Sequence, residues 1–101
     1  MLKKESKFEL DKLYNFLIIN NNIAVKINSH TDARGSDEYN MKLSQQRSIA
    51  SVTYLIGKGI EKIRLIPMAY GESILLIKNA TTENEHQKNR RTEFEILALD
   101  Y

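Results

Sequence analysis

Ile27-Asn28-Ser29-His30-Thr31-Asp32-Ala33-Arg34-Gly35-Ser36-Asp37-Glu38-Tyr39-Asn40 decides the fold, because an alternating apolar run gives way there to a polar loop and then to a helix start. Val25 and Ile27 alternate with Lys26 and Asn28, the period-two pattern of a half-buried strand. Gly35 breaks the run just before Ser36, a good N-cap, and Asp37 and Glu38 supply negative charge to the first helical turn. The implied order is strand, loop, helix. A helix N-terminus beside a strand end offers free backbone N–H groups and a positive dipole end, where an anionic group can be held. Asp32 hangs from that loop, and Arg47 follows on the helix after Tyr39, Asn40, Leu43 and Ser44. One carboxylate and one guanidinium can therefore face a common cleft.

Upstream, Ser6-Lys7-Phe8-Glu9 has capping-box spacing, and Leu10, Leu13, Tyr14 and Leu17 recur at helical spacing. A first amphipathic helix is predicted there, ending at Asn20-Asn21-Asn22, with the strand running from Ile23 to Ser29. The second helix is predicted from Asp37 to about Ile56, its buried side supplied by Leu43, Ile49, Ala50, Val52 and residues 54–56, with Gly57 and Gly59 as the stop. Lys62 to Met68 reads as a strand, which Pro67 confines to a sheet edge or a strand end. Asn79 to Gln87 reads as a short helix capped by Thr81 or Thr82, and Thr92 to Leu99 as the final strand. Helices alternating with strands indicate an α/β fold, an α+β sandwich with helices packed on a small mixed sheet.

The 101 residues, 42% of them hydrophobic, fit one domain with a small core. A net charge of +2 and a pI near 8.9 describe a mixed surface that does not call for nucleic acid. Arg90 and Arg91 lack interleaved stacking aromatics, which weakens an RNA-binding assignment further. The absence of cysteine excludes disulfides and thiolate metal sites, and His30 with His86 does not make a metal centre. A hydrolase built on His30, Asp32 and Ser29 or Ser36 lacks an ordered nucleophile, base and orienter, and His30 is expected instead to pack at the strand end with its ring nitrogens satisfied locally. Neither an enzyme nor a cofactor is expected. Taken singly, Asp32 reads as a loop carboxylate capping a nearby N–H, and Arg47 as a solvated helix residue.

His30-Thr31-Asp32, Gly35-Ser36, Tyr39-Asn40, Leu43-Ser44, Arg47, Tyr54-Leu55, Gly59-Ile60, Arg64-Leu65, Tyr70-Gly71-Glu72 and Asn89-Arg90-Arg91 with Phe94 stand together in an order and spacing that resemble the OmpA-like peptidoglycan-binding domains. The match runs from about Ser6 to Ile96. The resemblance implies a non-catalytic domain that anchors a larger outer-membrane or periplasmic protein of the cell envelope to peptidoglycan. It further implies that Asp32 and Arg47 hold the zwitterionic end of diaminopimelate in the stem peptide, with Thr31, Asn40 and Arg90 at further ligand-contacting positions. Turn hydrogen bonding for Thr31, helix-start capping for Asn40 and a surface charge for Arg90 are the alternatives. In a second functional class the same fold is a scaffolding or assembly domain, with Asp32 and Arg47 in a structural salt bridge.

Several positions depart from the family pattern: Ser29 and Ala69 stand where glycine is common, Ile74 where proline is, and Glu83 to Lys88 replace a Glu-Gly-Arg-Ala stretch. The family's βαβαβαβ order also begins with an aromatic- and aspartate-rich strand that has no counterpart here, as expected of a fragment of a longer envelope protein. By resemblance that strand borders the final one, so one edge of Thr92 to Leu99 is expected to lie open. Phe94, Ile96, Leu97 and Leu99 make that edge apolar, which predicts a homodimer paired along it, or Met1 to Glu5 folded over it.

Overall fold

The computed structural model describes residues 2–98. Its elements run α1 (Lys4–Ile19), β1 (Ile23–His30), α2 (Asp37–Gly57), a single 3-10 turn (Lys62–Arg64), β2 (Leu65–Gly71), α3 (Glu83–Asn89) and β3 (Arg91–Ala98). The sheet order is β2-β1-β3, with β1 parallel to β2 and antiparallel to β3. The mixed sheet and the alternation of helices with strands are those expected from the sequence. No described helix is long and apolar enough to cross a membrane.

Leu10, Leu13 and Leu17 form one stripe of α1 and are buried against Val25 and Ile27 of β1 and Val52 and Leu55 of α2. The sandwich core is therefore built where the periodicity places it. The start of α1 differs from the expectation. Ser6 lies inside the helix, whose N-cap is Lys3 with no side-chain cap. Leu2 is half-buried against the core, which draws the chain into helical geometry before Ser6 is reached. Lys4 and Glu5 thus belong to α1 rather than to a segment laid over β3, and Met1 lies outside the described residues.

The buried face of α2 is a second correction. Ile49 and Ile56 are exposed, and the face turned inward carries Asn40, Ser44, Ser48, Ser51, Val52 and Leu55. Small hydroxyl side chains let the helix lie close to the sheet, and the close approach is paired with hydrogen bonds: Ser48 Oγ donates to Ile27 O at 2.8 Å, and Ser44 Oγ accepts from Gly71 N at 3.0 Å. The helix ends at Gly57 with Lys58 as its C-cap, and the chain turns away at Gly59, whose φ of +110° suits glycine. Gly59 N donates to Ile56 O and Ile60 N to Leu55 O, so the terminal carbonyls are satisfied while Leu55 and Ile60 meet in the core.

β2 is an outer strand, the position that Pro67 requires. α3 is capped at Thr82 by a full capping box with Glu85, one of the two threonines expected. β3 pairs with β1 from His30↔Arg91 to Ile23↔Ala98 and forms the other sheet edge among the described residues, while Leu99 lies outside them.

Candidate functional site

The loop between β1 and α2 is pinned from several sides. Thr31 N donates to Gly71 O at 2.8 Å, and Thr31 Oγ1 donates to Asp32 O at 2.9 Å. Ser36 caps α2 by accepting from Tyr39 N, as the sequence predicts. Asn40, in the first turn of that helix, is buried and aims its Nδ2 at Arg34 O (3.0 Å), Asp32 O (3.3 Å) and Glu72 Oε1 (2.9 Å). Thr31 and Asn40 thus make their hydrogen bonds to the chain itself, and they hold the loop in shape. A buried amide bridging backbone carbonyls of a turn fixes that turn far more firmly than solvated contacts do.

Asp32 is held by two arginines. Its Oδ1 accepts from Arg34 N at 2.9 Å, and its Oδ2 accepts from Arg34 Nη2 at 2.8 Å and from Arg90 Nη1 at 2.7 Å. Both guanidiniums continue to one further carboxylate: Arg34 Nη1 donates to Glu83 Oε2 at 3.0 Å, and Arg90 Nη2 to Glu83 Oε1 at 2.7 Å. The result is a closed ring of alternating charge. Burial alone would raise the Asp32 pKa, but the Arg34 and Arg90 hydrogen bonds outweigh it and hold the carboxyl well below the usual carboxylate range. Asp32 is therefore fully ionised at neutral pH, and its contribution to stability, complete above the ordinary carboxylate range, is lost progressively as pH falls from that range toward the depressed folded value.

Arg47 is half-buried on α2 and lines an open groove of about 870 Å³ between α1, α2 and β3. Leu2, Leu10, Leu43 and Phe94 form apolar wall, Arg90, Arg91 and Lys3 add positive charge, and Glu5 and Glu9 add negative charge. Asp32 does not line this groove, and Arg90 links the two by touching Asp32 from within it. The structure therefore brings Asp32 and Arg90 into contact and places Arg47 in the same groove as Arg90. The Asp32–Arg47 salt bridge of the scaffolding alternative is not formed, because the Asp32 carboxylate is occupied by Arg34 and Arg90. Among the described residues the Arg47 side chain has neither an ion pair nor a hydrogen bond of its own.

Arg34 and Glu83 were absent from the residues singled out in the sequence. Arg34 carried a local signal, since a side chain two residues after a loop aspartate is in reach of it. Glu83 carried none, lying 49 positions from its Arg34 partner.

His30 packs at the strand end as expected, buried and stacked on Tyr70 with ring centroids 5.1 Å apart. Its nitrogens are not satisfied locally, which corrects the sequence expectation. Nε2 lies 3.0 Å from Glu93 Oε1 without meeting hydrogen-bond geometry, and Nδ1 has no partner among the described residues. Burial, reinforced by the Arg91 charge, pushes the His30 pKa below its ordinary value, while Glu93 pulls the other way. A base with a depressed folded pKa adds stability above its unfolded pKa of about 6.5, and that stability is lost as pH falls through the folded value. We expect urea midpoints of the parent to fall between pH 7 and pH 5.5 and those of His30→Gln to fall less. Parallel pH profiles would contradict this origin.

The sequence profile described as the OmpA family matches residues 1–90. The chain is 36% identical over 83 residues to the peptidoglycan-associated lipoprotein of Buchnera aphidicola, covering 82% of this chain and 47% of that protein. It is also 36% identical to outer membrane protein A of Serratia marcescens, over 97% of this chain and 27% of that protein. The chain thus spans under half the length of these relatives. The crystal structure of the peptidoglycan-associated lipoprotein from Burkholderia pseudomallei superposes with a TM-score of 0.86 at 22% identity, over 95% of this chain and 80% of that one. That likeness carries the fold.

Proposed function

The chain belongs to the OmpA family, and from that membership and the groove beside Asp32 we propose that it is a non-catalytic module that holds peptidoglycan through the diaminopimelate of the stem peptide, anchoring a larger protein on the periplasmic side of the outer membrane. The observation that carries the proposal is the half-buried Arg47, which has no carboxylate of its own in a groove shared with Arg90. A guanidinium free of ion pairs at the wall of an open groove can bind a carboxylate by a forked pair of hydrogen bonds. Asp32 supplies the complementary site for an ammonium, at an oxygen-rich loop on the other side of Arg90. A zwitterionic amino-acid end, carboxylate and ammonium on one carbon, carries one charge for Arg47 and one for Asp32.

Each charge-assisted bond of this kind contributes roughly 1.5–3 kcal/mol, so losing one lowers affinity about ten- to hundredfold. We expect Arg47→Ala and Asp32→Asn each to release the protein from purified sacculi in a pull-down at physiological salt. Asp32→Asn keeps an acceptor for Arg34 N, so the loop survives while the charge is removed. If either variant sediments with sacculi as well as the parent does, the assignment of the pair is wrong. Attachment to sacculi is expected to be much firmer than to a single stem peptide, because a polymer repeats the epitope.

The same proposal includes self-association of the isolated domain. β3 is paired on one side only among the described residues, and Ile96 on it is 46% exposed. Two copies pairing antiparallel along β3 would satisfy the free backbone groups and cover Ile96. Light scattering at high concentration is expected to report a dimer, and a strict monomer with slowly exchanging 92–97 amides would exclude it.

A further inference from the structure

We propose that Arg34 is an internal latch on the Asp32 site, a built-in cation that occupies the carboxylate in the free protein and must leave before the ligand's ammonium can bind. The proposal rests on the diaminopimelate assignment above and adds to it the step by which the site opens.

The geometry makes Asp32 inaccessible as it stands. Its side chain is only 10% exposed, although it sits in a loop at the molecular surface. What covers it is the Arg34 guanidinium, which places both Nη2 and Nε on the same oxygen, at 2.8 and 3.3 Å. Arg90 occupies that oxygen too, but Arg90 is three-quarters buried and stands in the wall of the groove. The Arg34 side chain is 51% exposed and, among the described residues, is tied down elsewhere only by Glu83, itself 63% exposed. Of the two guanidiniums, Arg34 is the one that can swing into water without leaving a cavity. Its backbone N–H holds Asp32 Oδ1 independently of the side chain, so the loop keeps its form when the guanidinium departs.

The exchange is balanced in charge. An incoming ammonium replaces a departing guanidinium at Asp32 while Arg90 stays bonded, so the nearly buried carboxylate keeps two cationic partners before and after the exchange. Arg34 remains attached to Glu83 or hydrates fully. A latch of this kind reduces the apparent affinity by the fraction of molecules in which the site is closed. It also favours ligands that carry a cation: a neutral or purely anionic peptide end has nothing with which to replace Arg34.

The test compares the parent protein with Arg34→Ala in titrations with a diaminopimelate-containing stem peptide, using Asp32→Asn as the unliganded reference. Removing the latch is expected to tighten binding by roughly two- to fivefold, the size of one exposed ion pair lost from the free state. Equal or weaker binding by Arg34→Ala, with the parent binding saturably, overturns the latch and leaves the diaminopimelate assignment standing. No saturable binding by either protein overturns the assignment, and the latch with it. A second readout needs no variant. In ¹⁵N-edited arginine side-chain spectra of the parent, the Arg34 Nε–H signal is expected to move to the position of a solvated arginine as peptide is added, while Arg90 keeps its bonded position. An Arg34 signal that stays in its bonded position at saturation also overturns the proposal.

Discussion

Arg64→Met is expected to cost roughly 3–5 kcal/mol of unfolding free energy, the total of one buried and two partly buried carbonyls stripped of their donor. Arg64 is 6% exposed. Its Nη2 donates to Leu17 O at 2.8 Å and to Asn20 O at 2.7 Å, and its Nε donates to Ile23 O at 2.8 Å. These carbonyls belong to the last turn of α1, its C-cap and the first residue of β1, so one planar fork closes the helix end and fixes where the strand begins. A positive charge at a helix C-terminus also meets the negative end of the dipole. Methionine matches the length of the stem but offers no donor. Lysine keeps the charge but not the fork, and is expected to restore only part of the loss. Urea unfolding at neutral pH measures the effect, with the slope m unchanged. A loss below about 1 kcal/mol would mean that water replaces the guanidinium at these carbonyls.

Gly71→Ala is the second large effect, at roughly 2–4 kcal/mol, combining left-handed backbone strain with displacement of packed elements. Gly71 has φ +54°, and a Cβ there would meet Met41 N at 3.1 Å and Met41 Cα at 3.2 Å, both backbone atoms of α2. Relief by rotation is blocked, because Gly71 N is bonded to Ser44 Oγ and Gly71 O accepts from Thr31 N. Pushing α2 away also disturbs Asn40, the clamp of the Asp32 loop, so this variant is expected to lose peptidoglycan retention together with stability. Gly57→Ala is the internal control. A Cβ at Gly57 meets nothing within 4 Å, so alanine there is expected to be neutral or stabilising by up to about 1 kcal/mol. Similar thermal shifts for the two variants would contradict the close approach of helix and strand.

Much of the fold was legible because its signals are local. Leu10, Leu13 and Leu17 announce their helix by spacing alone, and Val25 and Ile27 announce their strand. Pro67 correctly marked an outer strand. The inward face of α2 was misread for a physical reason: hydropathy seeks apolar residues, whereas Ser44 and Ser48 are buried because they are small and because their hydroxyls have backbone partners on β1 and at the end of β2. Those partners lie 21 and 27 residues away, beyond any window in which periodicity operates. The site divides in the same way. The ordered motif points to Asp32, Thr31, Asn40, Arg47 and Arg90 as the proposed ligand-contacting positions, but it does not show that Arg90 and Glu83 close a ring of charge with Asp32 and Arg34. Arg90 meets Asp32 across 58 positions and Glu83 completes the ring from α3, so the ring exists only once the chain has folded. Ser6 shows the converse: a correct capping spacing is overridden when Leu2 upstream is drawn onto the core.

The central claim is that this domain grips a zwitterionic amino-acid end, with Arg47 taking the carboxylate. Isothermal titration of the protein with a stem peptide ending in diaminopimelate tests it most directly, set beside the same peptide with lysine in that place, which keeps the side-chain ammonium and lacks the carboxylate. Saturable heat is expected with the first peptide, binding weakened at least tenfold with the second, and an Arg47→Ala protein that no longer tells the two apart. Equal affinity of the parent for both peptides, or undiminished discrimination by Arg47→Ala, would contradict that claim.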